Sequence, residues 1–446
     1  MNSIKIGSGA GYSGDRLEPA LELLERVPLD YMAFECLAER TIALAQTEKQ
    51  HDPTRGFDPL LEYRMERVLP VAHKKGVRIL TNMGAANPEG ALRQVTAMAR
   101  SQRLKGLKIA AVVGDDVRHL LESHPELKLL ETGAPVASLG DRIISANAYL
   151  GAAPLVEALN RGAQVILTGR VADPSLFLAP MIHAFGWDLE DCQKMGQGTL
   201  IGHLLECAAQ VCGGYFAEPG KKEVPDLHRL GFPYAEVDAS GRGFISKAPD
   251  TGGLVSVATC TEQLLYEIHN PSAYLTPDCT ADFSRVTFRQ EGADKVSFNG
   301  AGGRPATDTY KVSVGYRNGY LGVGEMSYGG PGCEDRARLA AEIVRKRLAA
   351  QNMDIADLRT ELIGVNAISP LEGVGRPEVP EVRLRVAGRV QSRAEALQIG
   401  QEVETLYTNG PAAGGGASRS VREVISVASV LLPKSKVCPK VLLEEI

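Results

Sequence analysis

From its start to about Trp187 the chain alternates short apolar segments with stretches whose apolar residues recur at helical spacing. That alternation leaves few architectures open. Strands buried on both faces and joined by helical crossovers build a parallel sheet covered by helices on both sides. The candidate strands are Ile4 to Ile6, Tyr31 to Leu37, Val77 to Asn82, Leu107 to Val113, Ile143 to Asn147 and Gln164 to Thr168. Between them lie helices such as Leu17 to Val27, where Leu17, Ala20, Leu21, Leu24 and Val27 form one stripe. Arg64 to Lys75, Glu89 to Leu104 and Leu155 to Gly162 carry similar stripes. Ligands of open parallel sheets bind beyond the carboxyl ends of the strands, so functional side chains are sought in the loops that follow them.

The pattern changes near Gly198, where a helix bearing Cys and Gly leads into β-rich sequence. Tyr234 to Val257 reads as hairpins and Thr261 to Ile268 as a helix. Strands at Val286 to Arg289, Lys311 to Tyr316 and Leu358 to Val365 surround a helix at Arg336 to Leu348. A related order recurs in the strand Val382 to Val386, the helix Arg393 to Tyr407 and the strand Val421 to Leu432. Two such units suggest a ferredoxin-like arrangement. The expected fold is therefore α/β, a mostly parallel sheet with helices on both faces, followed by an α+β sandwich region. Boundaries are expected at 1–197 and 198–446, with a linker and sub-boundary near Pro370 to Pro380 and the ligand in the cleft between the two regions. A length of 446 residues accommodates this at roughly 150 residues per domain.

Composition removes several function classes. With 49 Lys and Arg against 54 Asp and Glu, the formal charge is -5, and no concentrated basic surface is available for nucleic acid. No apolar run approaches the ~20 residues that span a bilayer, and Met1 to Ile6 enters a strand without signal-peptide features; the expected location is the cytoplasm. The eight cysteines, Cys36, Cys192, Cys207, Cys212, Cys260, Cys279, Cys333 and Cys438, have no CxxC pair and read as reduced thiols without a structural zinc. No GxSxG elbow and no GxxxxGK[ST] loop occurs, which removes the usual α/β-hydrolase and P-loop signatures. Homo-oligomerisation is compatible with a metabolic protein of this kind, although no residue pattern establishes it.

Glycine is the compositional outlier, with 47 residues against a usual share of about 7%. Gly9-Ala10-Gly11-Tyr12-Ser13-Gly14 matches G-x-G-x-x-G between a strand and a helix, where Gly9, Gly11 and Gly14 would let a pyrophosphate approach. Glu35 stands near the position of a ribose-binding acid. Against this, Asp15 directly follows the third glycine and would meet an incoming phosphate, though it also suits a helix cap. Dinucleotide binding, turn glycines and another anionic or carboxylate ligand all stay open. Small-residue loops with polar handles also occur at Thr81 to Pro88, where Asn82 and Gly84 are candidate substrate contacts, and at Thr168 to Ser175. A third lies at Asn409 to Gly416. Asn147, at the end of a candidate strand, and Gly252 with Gly253, at a hairpin turn, complete the candidate substrate-binding set.

Two pairs of side chains have spacing suited to chemistry. His203 and Glu206 stand three apart and share a helix face, so they could exchange protons with a substrate or contribute to a metal site with a third group. A helix-surface pair or a bonded core histidine explains the same spacing. Arg170 offers a planar fork for a carboxylate or phosphate, and Asp173 could act as a base. An ion pair closing their loop is the alternative.

An ordered series of segments resembles the acyclic terpene utilisation family, the AtuA-type proteins, over most of the chain. The series runs through Ala146 to Ala152, Thr168 to Asp173, Gly202 to Cys207, Gly213 to Phe216 and Gly231 to Pro233. It continues with Thr251 to Gly253, Glu262 to Ile268 and Tyr274 to Asp278. The resemblance implies degradation of citronellol- and geraniol-like terpenes by way of branched acyl-CoA thioesters, and it supplies no catalytic residues. The leading expectation is an enzyme of hydratase, lyase or isomerase type acting on a branched or terpenoid carboxylate or its acyl-CoA. His203 or Glu206 would serve as acid or base with Asp173 beside them, Arg170 would grip a carboxylate, and glycine-loop amides would stabilise an enolate-like oxyanion. CoA would enter only as part of the substrate. The rivals are an NAD(P)- or flavin-dependent oxidoreductase using the Gly9 to Gly14 loop and a non-catalytic accessory subunit of a terpene-degrading enzyme.

Overall fold

The computed structural model describes residues 3–368 and 378–446. Most of the linker expected at Pro370 to Pro380 therefore lies outside the described residues. Contacts divide the chain into two compact units, Met1–Gly315 with Val427–Ile446, and Tyr316–Ser426. The sequence reading drew its main line after residue 197 instead. The reason for the difference is that β-rich sequence beyond that point hydrogen-bonds onto the edge of the N-terminal sheet.

The first unit contains β1 (Ser3–Ala10), β2 (Tyr31–Phe34), β3 (Arg78–Thr81), β4 (Lys108–Val113), β5 (Ile143–Ala148) and β6 (Val165–Thr168). They are followed by β7 (Pro233–Asp238), β8 (Gly243–Lys247), β9 (Tyr274–Leu275), β10 (Thr280–Asp282), β11 (Thr287–Gly292), β12 (Lys295–Asn299) and β13 (Gly302–Arg304). Ten strands form one sheet in the order β11-β12-β8-β7-β1-β2-β3-β6-β4, ending in Lys440–Glu445. The inner strands β1, β2, β3, β6 and β4 are parallel. At both edges the added strands run antiparallel. All four residues of β2 and of β6 are buried, as a parallel strand covered on both faces requires.

The helices Glu18–Arg26, Leu61–Lys75 and Pro88–Ser101 pack together on one face, and Ala153–Asn160, Ser175–Phe185 and Cys192–Glu206 on the other. Their ends carry the expected chemistry. Asn87 Oδ1 accepts from Gly90 N–H at 3.0 Å and Pro88 opens the helix behind it. Leu61–Lys75 stops at Gly76, whose φ of 72° is left-handed. One strand departs from the sequence reading. Ile143 to Asn147 does form β5, but β5 pairs with the strand Thr309–Gly329 and takes no place in the ten-stranded sheet.

The second unit is built from β14 (Thr309–Gly329, of which the residues from Tyr316 belong here), β15 (Ala356–Ile363), β16 (Glu381–Val390) and β17 (Gly414–Pro433, here to Ser426). Their order is β15-β16-β14-β17, with helices Cys333–Ala350 and Arg393–Glu404 in the two crossovers. This is the β-α-β-β-α-β order of a ferredoxin-like sheet. Along β16 burial alternates strictly, and Val382, Leu384, Val386 and Val390 face a core shared with Ala337, Val344, Ile399 and Val403.

Candidate functional site

The carboxyl ends of β1, β2 and β6 converge with the end of helix Cys192–Glu206 around a cavity of about 620 Å³. Close backbone contacts set this convergence. A Cβ on Gly202 would lie 2.5 Å from the carbonyl oxygen of Pro174, so its absence lets the helix settle on the loop carrying Asp173. A Cβ on Gly11 would likewise lie 2.5 Å from the backbone carbon of Cys207. The β1 loop is anchored from below by Arg64, fully buried, whose Nη2 donates to the carbonyls of Ser13 at 2.7 Å and Asp15 at 3.0 Å.

Glu206 lines the cavity and is 8% exposed. Its Oε1 lies 2.7 Å from His203 Nδ1, while its Oε2 has no hydrogen-bond partner. His203 Nε2 is 3.2 Å from the carbonyl oxygen of Leu264, which only an N–H can satisfy. The imidazole is stacked on Phe283 and does not line the cavity; it stands behind Glu206. Burial works against charge on His203, but Glu206 outweighs it and holds the imidazole pKa above its ordinary value. Burial pushes the Glu206 carboxyl up to about 7; the pull of His203 opposes the rise, and the charges of Asp173 and Glu267 add to it.

On the β2 loop, Glu35 Oε1 accepts from Leu37 N–H and from Asn82 Nδ2, both at 2.9 Å. Asn82 Oδ1 in turn accepts from Cys36 N–H at 2.7 Å. Asn82 is thus a buried staple that shapes the cavity wall without lining it. Burial first, and then the charge of Asp173, push the Glu35 carboxyl up to about 8.

Arg170 lines the same cavity with both Nη donors engaged, while its buried Nε has no hydrogen-bond partner among the described residues. Nη1 donates to the Leu37 carbonyl and to Asp173 Oδ1 at 2.8 Å, and Nη2 lies 3.4 Å from Asp173 Oδ2. The guanidinium sits 4.1 Å from the Tyr149 ring centroid. The loop-closing ion pair is therefore the arrangement present, and no free fork waits for a substrate carboxylate. Burial opposes the charge of Glu39, but Arg170 and the Tyr149 hydroxyl outweigh it and hold that carboxyl at about 2. Asp173 is raised by burial against the pull of Arg170.

The remaining sequence candidates sit elsewhere or pack. Asn147 Nδ2 donates to Asp115 Oδ2 at 2.9 Å, away from the cavity. Gly84 lies against the Thr168 carbonyl, Gly252 against the Asp226 carbonyl and Gly253 against the Cys212 carbonyl. Gly9 is pressed on the Phe34 ring and Gly14 on Tyr12. The amide of Gly11, which a pyrophosphate would need, donates instead to Asp15 Oδ2 at 3.0 Å. Each fingerprint glycine thus has a packing neighbour, and the loop presents no phosphate cradle at Gly11. Among the described residues no group of three or more His, Cys, Asp or Glu is placed to hold a metal ion, and no helix is long and apolar enough to cross a membrane.

Glu39, Tyr149, Cys207 and Glu267 carry no local signal in the sequence that singles them out for the site, and Glu35, which stands near the position of a ribose-binding acid, lines this cavity. Glu35→Gln tests its new environment through pH. The ordinary carboxyl value is 4.5; between there and about 8 the folded wild type keeps a proton that the unfolded chain has released. Stability then falls as pH rises through that window. Glutamine preserves both hydrogen bonds to Oε1 and cannot ionise. The melting temperature of Glu35→Gln relative to wild type should therefore rise from pH 5 to pH 9, and an unchanged difference in thermal melts would contradict the assignment.

A family model described as acyclic terpene utilisation family protein AtuA matches residues 4–443. No curated protein and no solved structure matches the chain.

Proposed function

The chain belongs to the acyclic terpene utilisation family, and on that premise we propose that it catalyses proton transfer on an acyclic terpenoid or its ester, as a hydratase, lyase or isomerase, with Glu206 exchanging the proton. One observation carries the reading. A carboxyl group nine-tenths buried lines a cavity with one oxygen unpartnered, its pKa close to neutrality, and an imidazole bonded to its other oxygen. An acid–base group works best when its pKa lies near the working pH. In this arrangement the Glu206 carboxyl meets the substrate at the cavity wall, and Oε1 shares a proton with His203 Nδ1. The Leu264 carbonyl fixes the tautomer by holding Nε2–H. His203 is a positioning residue, because it touches Glu206 and not the cavity. Glu35, still protonated at neutral pH, offers an O–H to a substrate oxygen, a use of a neutral carboxylic acid that burial makes available.

The test is solvent exchange. Geraniol, citronellol and geranic acid are incubated with the full chain in D₂O and analysed by mass spectrometry. Deuterium bound to carbon, above the protein-free control, is expected in at least one of them. Its absence from all three would overturn the reading.

A further inference from the structure

We propose that the cavity receives the reacting end of its substrate as an uncharged group and that the charge developing there is positive, so that the reaction proceeds by protonation of a carbon–carbon double bond. The inference rests on the acid–base reading above and goes further by assigning the sign of the charge.

Three observations support it. Among the described residues, Asp15, Glu35, Glu39, Asp173, Glu206 and Glu267 line the cavity against a single cation, Arg170, whose Nη atoms are engaged by Asp173 and Leu37. Lys311 and Arg64, behind the wall, lie 3.3 Å from Glu39 and 3.8 Å from Asp58 respectively. Glu35 is protonated at neutral pH, but Glu39 and Asp173 already draw on the charge of Arg170, so an incoming carboxylate would compete with them for that cation.

Secondly, five amides of the surrounding loops are already bonded. Gly11 N–H donates to Asp15 Oδ2, Cys36 N–H to Asn82 Oδ1, Leu37 N–H to Glu35 Oε1 and Arg170 N–H to Asp115 Oδ2. Glu35 N–H donates to the Ala10 carbonyl. These five amides are therefore not available to an enolate oxyanion, which needs donors aimed at it in advance. Thirdly, Tyr12, Tyr215 and Tyr266 are among the lining residues, and aromatic faces attract cations. Glu206 stands in the same wall with its buried Oε2 unpartnered.

The chemistry follows from what an acyclic terpene carries, a trisubstituted double bond. The proton on the Glu206 carboxyl passes to the less substituted carbon, and the π electron pair becomes the new C–H bond. The other carbon is left as a tertiary cation facing carboxylates and aromatic rings. Water then donates an electron pair to form a C–O bond and returns a proton to Glu206. The sum is addition of water, with no change of oxidation state that would require a co-reactant. Loss of a proton from a neighbouring carbon instead gives the isomeric alkene.

The experiment compares two probes with the same isoprenoid chain, geranyldimethylamine, an ammonium ion at neutral pH, and geranate. Binding to the full chain is measured by calorimetry at low and high salt. The ammonium should bind at least about tenfold more tightly than the carboxylate, a preference that salt reduces. A ratio near one, a preference for geranate, or no binding of either would overturn the inference. Solvent exchange decides the acid–base reading separately: exchange together with a geranate preference removes only the charge assignment. An ammonium preference without exchange in geraniol, citronellol or geranic acid removes the proton-transfer step.

Discussion

Glu206→Gln is expected to lower turnover of the terpenoid substrate by about 10²- to 10⁴-fold, the range over which a positioned acid or base contributes. The substitution removes the exchangeable proton and little else. With His203 Nε2–H held by the Leu264 carbonyl, Nδ1 is left as an acceptor, and a glutamine N–H can donate to it. The variant also loses a carboxyl that burial makes costly to ionise, so it should melt no lower than wild type at neutral pH. A fold that collapses would therefore not explain the loss of rate. Wild-type turnover in a folded Glu206→Gln protein would remove Glu206 from the chemistry.

His203 gives the same experiment a second readout. Glu206 faces His203, Asp173, Glu267 and Cys207, and of these the imidazolium is the group that draws its pKa down. His203→Gln takes that pull away, so the Glu206 carboxyl should titrate above its present value of about 7. The limb of the turnover profile that reports Glu206 should move to higher pH. A residue that only filled space would lower the rate without moving the limb.

How much of this site was legible depended on how local each signal is. His203 with Glu206, and Arg170 with Asp173, are three residues apart, and helical or loop geometry brings such neighbours together whatever the rest of the chain does. Glu35 required more. Its partner Asn82 is 47 residues away in sequence, and its high pKa reflects burial and the charge of Asp173, neither visible at the position itself. Gly11 misled for the same reason, because what requires glycine there is the backbone of Cys207.

The fold repeats the lesson. The helix Glu39–His51 buries only Ile42, Ala43, Ala45 and Gln46, too faint a stripe to read, yet it begins at a cavity-lining carboxylate. In β14, glycines at 322 and 324 interrupt what would otherwise read as a long strand. They are there because helix Arg393–Glu404 lies so close that a Cβ would meet the Ala396 carbonyl at 2.1 Å and Val403 at 2.7 Å. Inner parallel strands, which are apolar in themselves, and hairpins at the sheet edge were recovered. The pairing of β5 with β14 was not, since its buried pattern is that of an inner strand.

Replacing Arg170 with methionine should be the most destabilising single change at the site, by about 3 kcal/mol, the lower end of the range for removing one partner of a buried ion pair. The lower end applies because the Asp173 side chain is 35% exposed, whereas that of Arg170 is 3% exposed. Methionine restores much of the packing volume but none of the charge. It leaves Asp173 without its bidentate partner and strips Glu39 of the cation that does most to hold its carboxyl at about 2. Denaturant midpoints should separate these contributions. Arg170→Met alone should fall well below wild type, and Arg170→Met with Asp173→Asn should recover a substantial part, because the stranded charge has gone too. The remaining deficit belongs to Glu39, which keeps Lys311 at 3.3 Å and the Tyr149 hydroxyl as partners. Recovery by the double variant would assign to the cation the task of holding the cavity's carboxylates in place. A double variant as unstable as the single would mean that Arg170 stabilises through its stacking on Tyr149 and its bond to Leu37, with the ion pair contributing little.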